Sequence, residues 1–155
     1  MPLVGMGQEK IDCFGGEFHF LSNFYPAYVL YEGIVWPSSE HAYQAMKTTD
    51  ENQRLNISVL DLPSEAKKMG KAVKMRVDWD DVKLDIMEDI VRCKFTQNPQ
   101  LQMMLLYTED LELVEGNNWG DTYWGVCNGV GENHLGKILM KIRDEIKEDA
   151  RSIKV

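Results

Sequence analysis

Glu40, Tyr43, Gln44 and Lys47 stand at i, i+3, i+4 and i+7 in the stretch Trp36-Pro37-Ser38-Ser39-Glu40-His41-Ala42-Tyr43-Gln44-Ala45-Met46-Lys47. With the helical period of about 3.6 residues, all four share one face. A carboxylate beside an amine can exchange protons, stabilise developing charge or, with the amine neutral, attack an electrophilic carbon. The same spacing also describes a solvated stripe with a weak Glu/Lys pairing. Trp36, Tyr43, Gln44 and His41 around the pair suit a pocket better than open water.

A second polar cluster runs from Glu115 to Asn133 and carries Trp119, Asp121, Tyr123, Trp124 and several Asn and Gly residues. Aromatic rings in a Gly-rich loop make poor core and a good binding surface. Gly129 and Gly131 precede an expected helix, so backbone N–H groups can face an anion there, with Lys137 adding charge. The glycines equally suit simple turns. The dinucleotide fingerprint is not matched, because His134 stands where its third glycine belongs.

These residues need elements to hold them. Pro37 with Ser38 or Ser39 as N-cap predicts a helix starting just before Glu40, placing that carboxylate in the first turn, where the helix dipole favours its charge. Upstream, residues 14–30 are strand-like and aromatic, and 29–36 reads as a short strand around a turn at Glu32-Gly33, together a small antiparallel sheet. Downstream, helices are expected over 64–70, with Ser64 as cap and Gly70 as stop, over 78–95 through Val82, Ile86, Ile90 and Cys93, and after Pro99. A brief strand at 111–115 and a long last helix capped by Asn133 complete the set.

At 155 residues the chain predicts one domain, with 1–10 as a loose terminus and the first dozen residues weakly structured. No apolar run reaches a membrane span and no signal-peptide layout opens the chain, so a cytoplasmic location without membrane partners is expected. Cys13, Cys93 and Cys127 have neither disulfide nor zinc spacing and read as reduced thiols. A net charge of -8 argues against general coating of nucleic acid but leaves room for a nucleotide in a local positive pocket. Arg54, Lys67, Lys68, Lys71, Lys74 and Arg76 form a basic stretch that is either a landing site for phosphates or a solvated face.

The set Phe14-Gly15, Leu21-Ser22-Asn23-Phe24-Tyr25-Pro26 and Gly33-x-x-Trp36-Pro37-Ser38-x-Glu40-His41-x-x-Gln44-x-x-Lys47 resembles the N-terminal signature of the NADAR, or YbiA-like, family. Asp78-Trp79, Met87, Lys94-Phe95, Trp124-Gly125, Gly129-x-Gly131-x-Asn133-x-Leu135-Gly136 and Leu139-Met140-x-x-Arg143 resemble its later blocks, in order across nearly the whole chain. Cys127 departs from the glycine seen in many members. The resemblance implies an α+β, predominantly helical fold and an N-glycosidase activity on ribosyl substrates. Two substrate classes go with it: ADP-ribose on guanine, including guanine in nucleic acid, and phosphoribosylated pyrimidine intermediates of riboflavin synthesis.

By the resemblance, Glu40 and Lys47 fall in the catalytic neighbourhood, and Trp119, Asp121 and Trp124 belong to the block that completes the pocket. Glu40 and Asp121 are the carboxylate candidates for a C1′–N cleavage. Lys47 is either a cation near phosphate or base, or a neutral amine that attacks C1′. Trp36, Tyr43, Trp119 and Trp124 are candidates for stacking on a base, each worth about 1–3 kcal/mol, with packing as the alternative for Trp36. Asn23, Gln44, Gly129, Gly131 and Asn133 complete the substrate-binding candidates. Neither cofactor nor metal is required. The competing expectations are a non-catalytic reader of ADP-ribose and a purely structural protein, and the pairing of Glu40 with Lys47 favours the enzyme.

Overall fold

The computed structural model describes residues 9–153, so the expectation for residues 1–8 lies outside the described chain. The described residues are mostly helical with three small sheets, and they gather into two compact units, 23–98 and 9–22 with 99–153. The α+β, helix-rich class is as the sequence leads one to expect. No helix among the described residues is long and apolar enough to cross a membrane.

Unit 23–98 begins with a hairpin of β2 (Val29–Tyr31) and β3 (Ile34–Trp36). Glu32 and Gly33 both have positive φ, 53° and 76°, which is the backbone of a two-residue type I′ turn. Val29 pairs with Trp36, Leu30 with Val35 and Tyr31 with Ile34. The outer edge of β2 is closed by a side chain: Gln97 Oε1 accepts from Leu30 N at 2.8 Å and Gln97 Nε2 donates to Leu30 O at 2.9 Å, imitating a ladder pair.

The hairpin leads into α1 (Ser39–Ala45), capped by Ser38, whose Oγ accepts from His41 N at 3.2 Å. Every residue of α1 is buried, an arrangement that requires neighbours on all sides. α2 (Glu51–Ser58), capped by Asp50, and α3 (Pro63–Gly70) are two of them. α2 was not legible as a helix, because it buries only Ile57 and so lacks an apolar stripe. The start of α3 differs from the Ser64 cap: Pro63 is the first helical residue, and Glu65 Oε1 accepts from Leu62 N at 2.9 Å. α4 (Trp79–Gln97) completes the unit and turns a different face inward than expected. Met87, Ile90, Val91, Lys94 and Phe95 are buried, whereas Val82, Ile86 and Cys93 are half-buried.

Unit 9–22 with 99–153 holds the parallel pair of β1 (Lys10–Ile11) and β4 (Glu112–Leu113), so Lys10 and Ile11 are strand rather than loose terminus. The aromatic stretch after Phe14 is a 3-10 helix, Gly16–Leu21, not a strand; its hydrophobic residues cluster without the alternation a half-buried strand needs. α5 (Pro99–Leu106) follows its proline as expected. A second parallel pair, β5 (Gly116–Asn117) with β6 (Val126–Cys127), ties the two ends of the aromatic loop. The last helix, α6 (His134–Ile153), buries Leu135, Ile138, Leu139, Ile142 and Ile146 along one stripe.

His41, wholly buried in α1, locks that helix to its surroundings: its Nδ1 meets Ser38 Oγ at 2.7 Å and its Nε2 donates to Leu60 O at 2.9 Å. Burial holds its imidazole below the ordinary value of 6.5, against the opposing pull of the Leu60 carbonyl and Glu65. Above that value the neutral ring's contribution is fully present. It is lost as pH falls through the lower folded-state pKa, since the unfolded chain takes the proton first. Melting temperatures from about pH 8 to about pH 5 should therefore decline on the acid side, and His41→Gln should flatten the part of the decline just below about pH 6.5. Equal slopes in the two proteins would remove His41 as the cause.

Candidate functional site

Glu40 is 7% exposed and lies in the first turn of α1, its N–H donating to Asn23 O at 3.1 Å. A solvated stripe is thereby excluded. One turn on, Gln44 Nε2 donates to Glu40 Oε2 at 2.6 Å. The contact fixes which way the amide points, because the reverse orientation would set two oxygens against each other. Gln44 is thus a holder of the carboxylate. Its own Oε1 is buried, finds no hydrogen-bond donor among the described residues, and rests against Gly70 of α3. A Cβ at position 70 would overlap Gln44 Oε1, so Gly70 is a packing requirement and not merely a helix stop.

Lys47 lies beyond the last turn of α1, which ends at Ala45 with Met46 as cap. Its backbone is pinned on both sides: its N–H donates to Gln44 O at 3.2 Å and its carbonyl accepts from Arg76 N at 2.7 Å. The half-buried side chain places Nζ 5.8 Å from the Tyr43 ring centroid. Burial holds the amine below the usual lysine range; Glu40 opposes this, and Lys67, Lys71 and Lys83 reinforce it. Tyr43 is 7% exposed and meets Trp79 at 5.2 Å between centroids, so its ring is a wall of this cluster. Asn23, expected among the binding residues, instead accepts from Ser39 Oγ through Oδ1 at 3.1 Å and donates Nδ2 to Met87 Sδ at 3.4 Å.

Trp36 does not offer a stacking face. It is wholly buried and donates Nε1 to Tyr31 O at 3.0 Å under its own hairpin, which corrects its place among the stacking candidates. An open groove of about 630 Å³ bordered by Thr48–Asp50 and Lys74–Asp78 contains none of these residues, and Arg76 and Asp78 in its wall are closed on one another at 2.6 Å.

The aromatic loop of the other unit is held by its own polar groups. Asp121 Oδ1 accepts from Tyr123 N at 3.1 Å and Trp124 N at 2.9 Å, while Asn117 grips Asp121 N and O. Asp121 is therefore a clamp on the turn that presents Trp124. That ring stands edge-on to Tyr123 at 4.8 Å and to His134 at 6.4 Å. Trp119 is 64% exposed and keeps a flat face available.

Near Gly129, Gly131 and Asn133, the N–H groups at the entry to α6 that were expected to face an anion are turned into the loop. Asn128 and Gly129, at φ 53° and 77°, make a turn whose flanks Cys127 and Val130 exchange both backbone hydrogen bonds. Gly131 packs on the Gly125 carbonyl. The N–H groups of Glu132, Asn133, His134 and Leu135 donate to the carbonyls of Thr122, Gly125, Tyr123 and Trp124, so none of these four faces outward for an anion. Asn133, with φ 55°, uses its amide on Glu115 N and Leu113 O instead of capping α6.

Two contributors were not legible as such. The contact of Gly70 with Gln44 depends on how α3 lies on α1, which no spacing within either helix encodes. Lys94 is 1% exposed on α4, its Nζ 5.1 Å from the Phe95 ring centroid and 5.9 Å from that of Tyr25, and burial pushes its amine down to about 7. Its one trace in the sequence is membership of the Lys94-Phe95 block.

The Gly70–Gln44 contact is testable by stability alone. Gly70→Ala should destabilise the protein by about 1–3 kcal/mol in denaturant titrations, the range for overpacking. Adding Gln44→Ala should recover part of that loss, since it vacates the space the new methyl needs. Strictly additive losses would show that the two residues are not in contact.

Comparison with known proteins agrees with this architecture. The NADAR domain model matches residues 12–147. The chain is similar to a riboflavin biosynthesis protein of Vibrio vulnificus, 40% identical over 134 residues, covering 84% of this chain but only 36% of that longer protein. It is similar to the N-glycosidase YbiA of Escherichia coli, 38% identical over 128 residues, 81% of this chain and 79% of that one. The solution NMR structure of E. coli YbiA superposes with a TM-score of 0.83 at 34% identity, covering 92% of this chain and 88% of that one. With a family model spanning almost the whole described chain and a solved relative sharing its fold, the protein belongs to the NADAR domain family.

Proposed function

We propose that the protein is an N-glycosidase, a hydrolase that cleaves the C1′–N bond of a ribosylated base. The observation that carries this reading is the buried carboxylate of Glu40, aligned by Gln44 and within electrostatic reach of the Lys47 amine. The names of its relatives, N-glycosidase YbiA among them, point the same way.

Departure of the base builds positive charge at C1′ and negative charge on the leaving nitrogen. Glu40 stabilises the first and takes a proton from the incoming water. The depressed amine of Lys47 supports a second role. Its neutral Nζ bonds to C1′ as the base leaves with the electrons of the broken C1′–N bond and takes a proton from water. The ring then opens, its oxygen taking the proton from Nζ, to give a Schiff base that water hydrolyses back to free lysine and sugar. Within the aromatic loop Asp121 holds Trp124, and Trp119 is an exposed flat face of the kind on which a base stacks.

The substrate we favour is ADP-ribosylated guanine, free or in nucleic acid. Phosphoribosylated intermediates of riboflavin synthesis are the second reading, favoured by the riboflavin biosynthesis name of the Vibrio relative. Incubation with each, followed by mass spectrometry of released base and sugar, tests both; release from neither would overturn the assignment.

Glu40→Gln keeps the shape of the side chain and should reduce turnover by ~10² or more with the fold intact. Near wild-type rates in the folded variant would take Glu40 out of the chemistry. Borohydride added during turnover should leave a reduced sugar adduct on the wild-type protein and none on Lys47→Ala. An active Lys47→Arg variant with no adduct on the wild type would make the lysine a cation only.

A further inference from the structure

We propose that Lys67 and Lys71 form an anion-docking face for the 5′-phosphate of the ribosyl substrate, and that they set a preference for phosphorylated over unphosphorylated N-ribosides. The inference rests on the N-glycosidase reading and adds to it the residues that recognise the charged end of the substrate.

The packing of α3 on α1 supplies the geometry. Ala66 and Gly70 are buried, and Gly70 abuts Gln44, the residue that holds Glu40. At about 100° per residue, Lys67 and Lys71 lie about 60° and about 100° around the helix from Gly70, both on one flank of the contact, whereas Lys68 lies about 160° away on the far side. Lys67 Nζ is 5.9 Å from the Phe24 ring centroid. Phe24 directly follows Asn23, whose carbonyl receives the Glu40 N–H. Both lysines also act electrostatically on Lys47, so three amines border the Glu40 cluster.

Other cations nearby are already engaged. Arg76 is paired with Asp78 at 2.6 Å, Lys83 with Asp80 at 3.3 Å, and Arg54 Nε donates to Thr48 O at 2.8 Å. Among the described residues neither Lys67 nor Lys71 has a carboxylate within ion-pair distance, although the chain carries a net charge of -8. Unneutralised lysines gathered beside a buried carboxylate and amine repel each other, and an anion between them relieves that repulsion. ADP-ribosyl and phosphoribosyl substrates share such an anion at the 5′ oxygen.

Steady-state kinetics of wild type, Lys67→Ala, Lys71→Ala, the double variant and Lys68→Ala provide the test. Each is assayed on ADP-ribosylated guanosine, on the phosphoribosylated pyrimidine, and on the latter after phosphatase treatment. The double variant should raise KM about tenfold or more on whichever phosphorylated substrate is cleaved and leave KM for the dephosphorylated substrate unchanged, while any fall in kcat from a less depressed Lys47 amine should be equal on the two forms. Lys68→Ala should match wild type. An unchanged KM for phosphorylated substrate, or an equal rise in KM on both forms, would overturn the docking face. Should the wild type cleave nothing, the N-glycosidase reading fails on its own. Calorimetry with ADP-ribose and ribose 5-phosphate then decides the docking face: weaker binding to the double variant sustains it, and equal binding or none to the wild type overturns it.

Discussion

A carboxylate removed from water must be given a partner, and the hydrogen bond from Gln44 to Glu40 meets that requirement inside a helix buried on every side. Much of unit 23–98 follows from it. Seven consecutive buried residues need close neighbours, and small residues provide the approach: Ala42 and Ala45 on α1, Ala66 and Gly70 on α3. The Ser38 cap and the two-sided grip on His41 fix the helix at its start, while Arg76 N on Lys47 O fixes the chain as it leaves. A side chain placed by packing, capping and hydrogen bonding has little freedom left to lose when a substrate arrives.

The electrostatics of this cluster run against those of the chain. An acidic protein concentrates lysines around one buried carboxylate, so the Lys47 amine is biased toward its neutral form by burial and by its own kind, with Glu40 as the restraint. The two readings of Lys47, cation and nucleophile, correspond to the two protonation states this balance separates. Burial and the neighbouring lysines act in the same direction on this amine, and both favour the neutral form that a nucleophile needs.

The aromatic loop achieves rigidity by a different economy. Four N–H groups at the entry to α6 are satisfied by carbonyls of residues 122–125, Asp121 caps the turn inside the loop, and Asn133 bridges back to 113–115. Backbone groups that a simple motif reading offers to a phosphate are consumed in holding the loop's shape. What remains presented is aromatic surface, Trp119 above all, which fits recognition of a flat base better than recognition of charge.

The sequence by itself determined the local features. Pro37 and Ser38 announce the start of α1, Glu32-Gly33 the hairpin turn, Pro99 the start of α5, and the stripe from Leu135 to Ile146 the last helix, because capping chemistry, positive φ and helical periodicity act over a few residues. The common face of Glu40 and Gln44 was legible for the same reason. Tertiary structure alone decided what those features are for. It buried the α1 face instead of solvating it, put Trp36 in the core, and made Gly70 a contact rather than a stop. It also turned the N–H groups at the entry to α6 into the aromatic loop and gathered lysines from two helices around Lys47. Burial and pairing depend on which surfaces meet across the chain, and spacing along one helix carries no record of that.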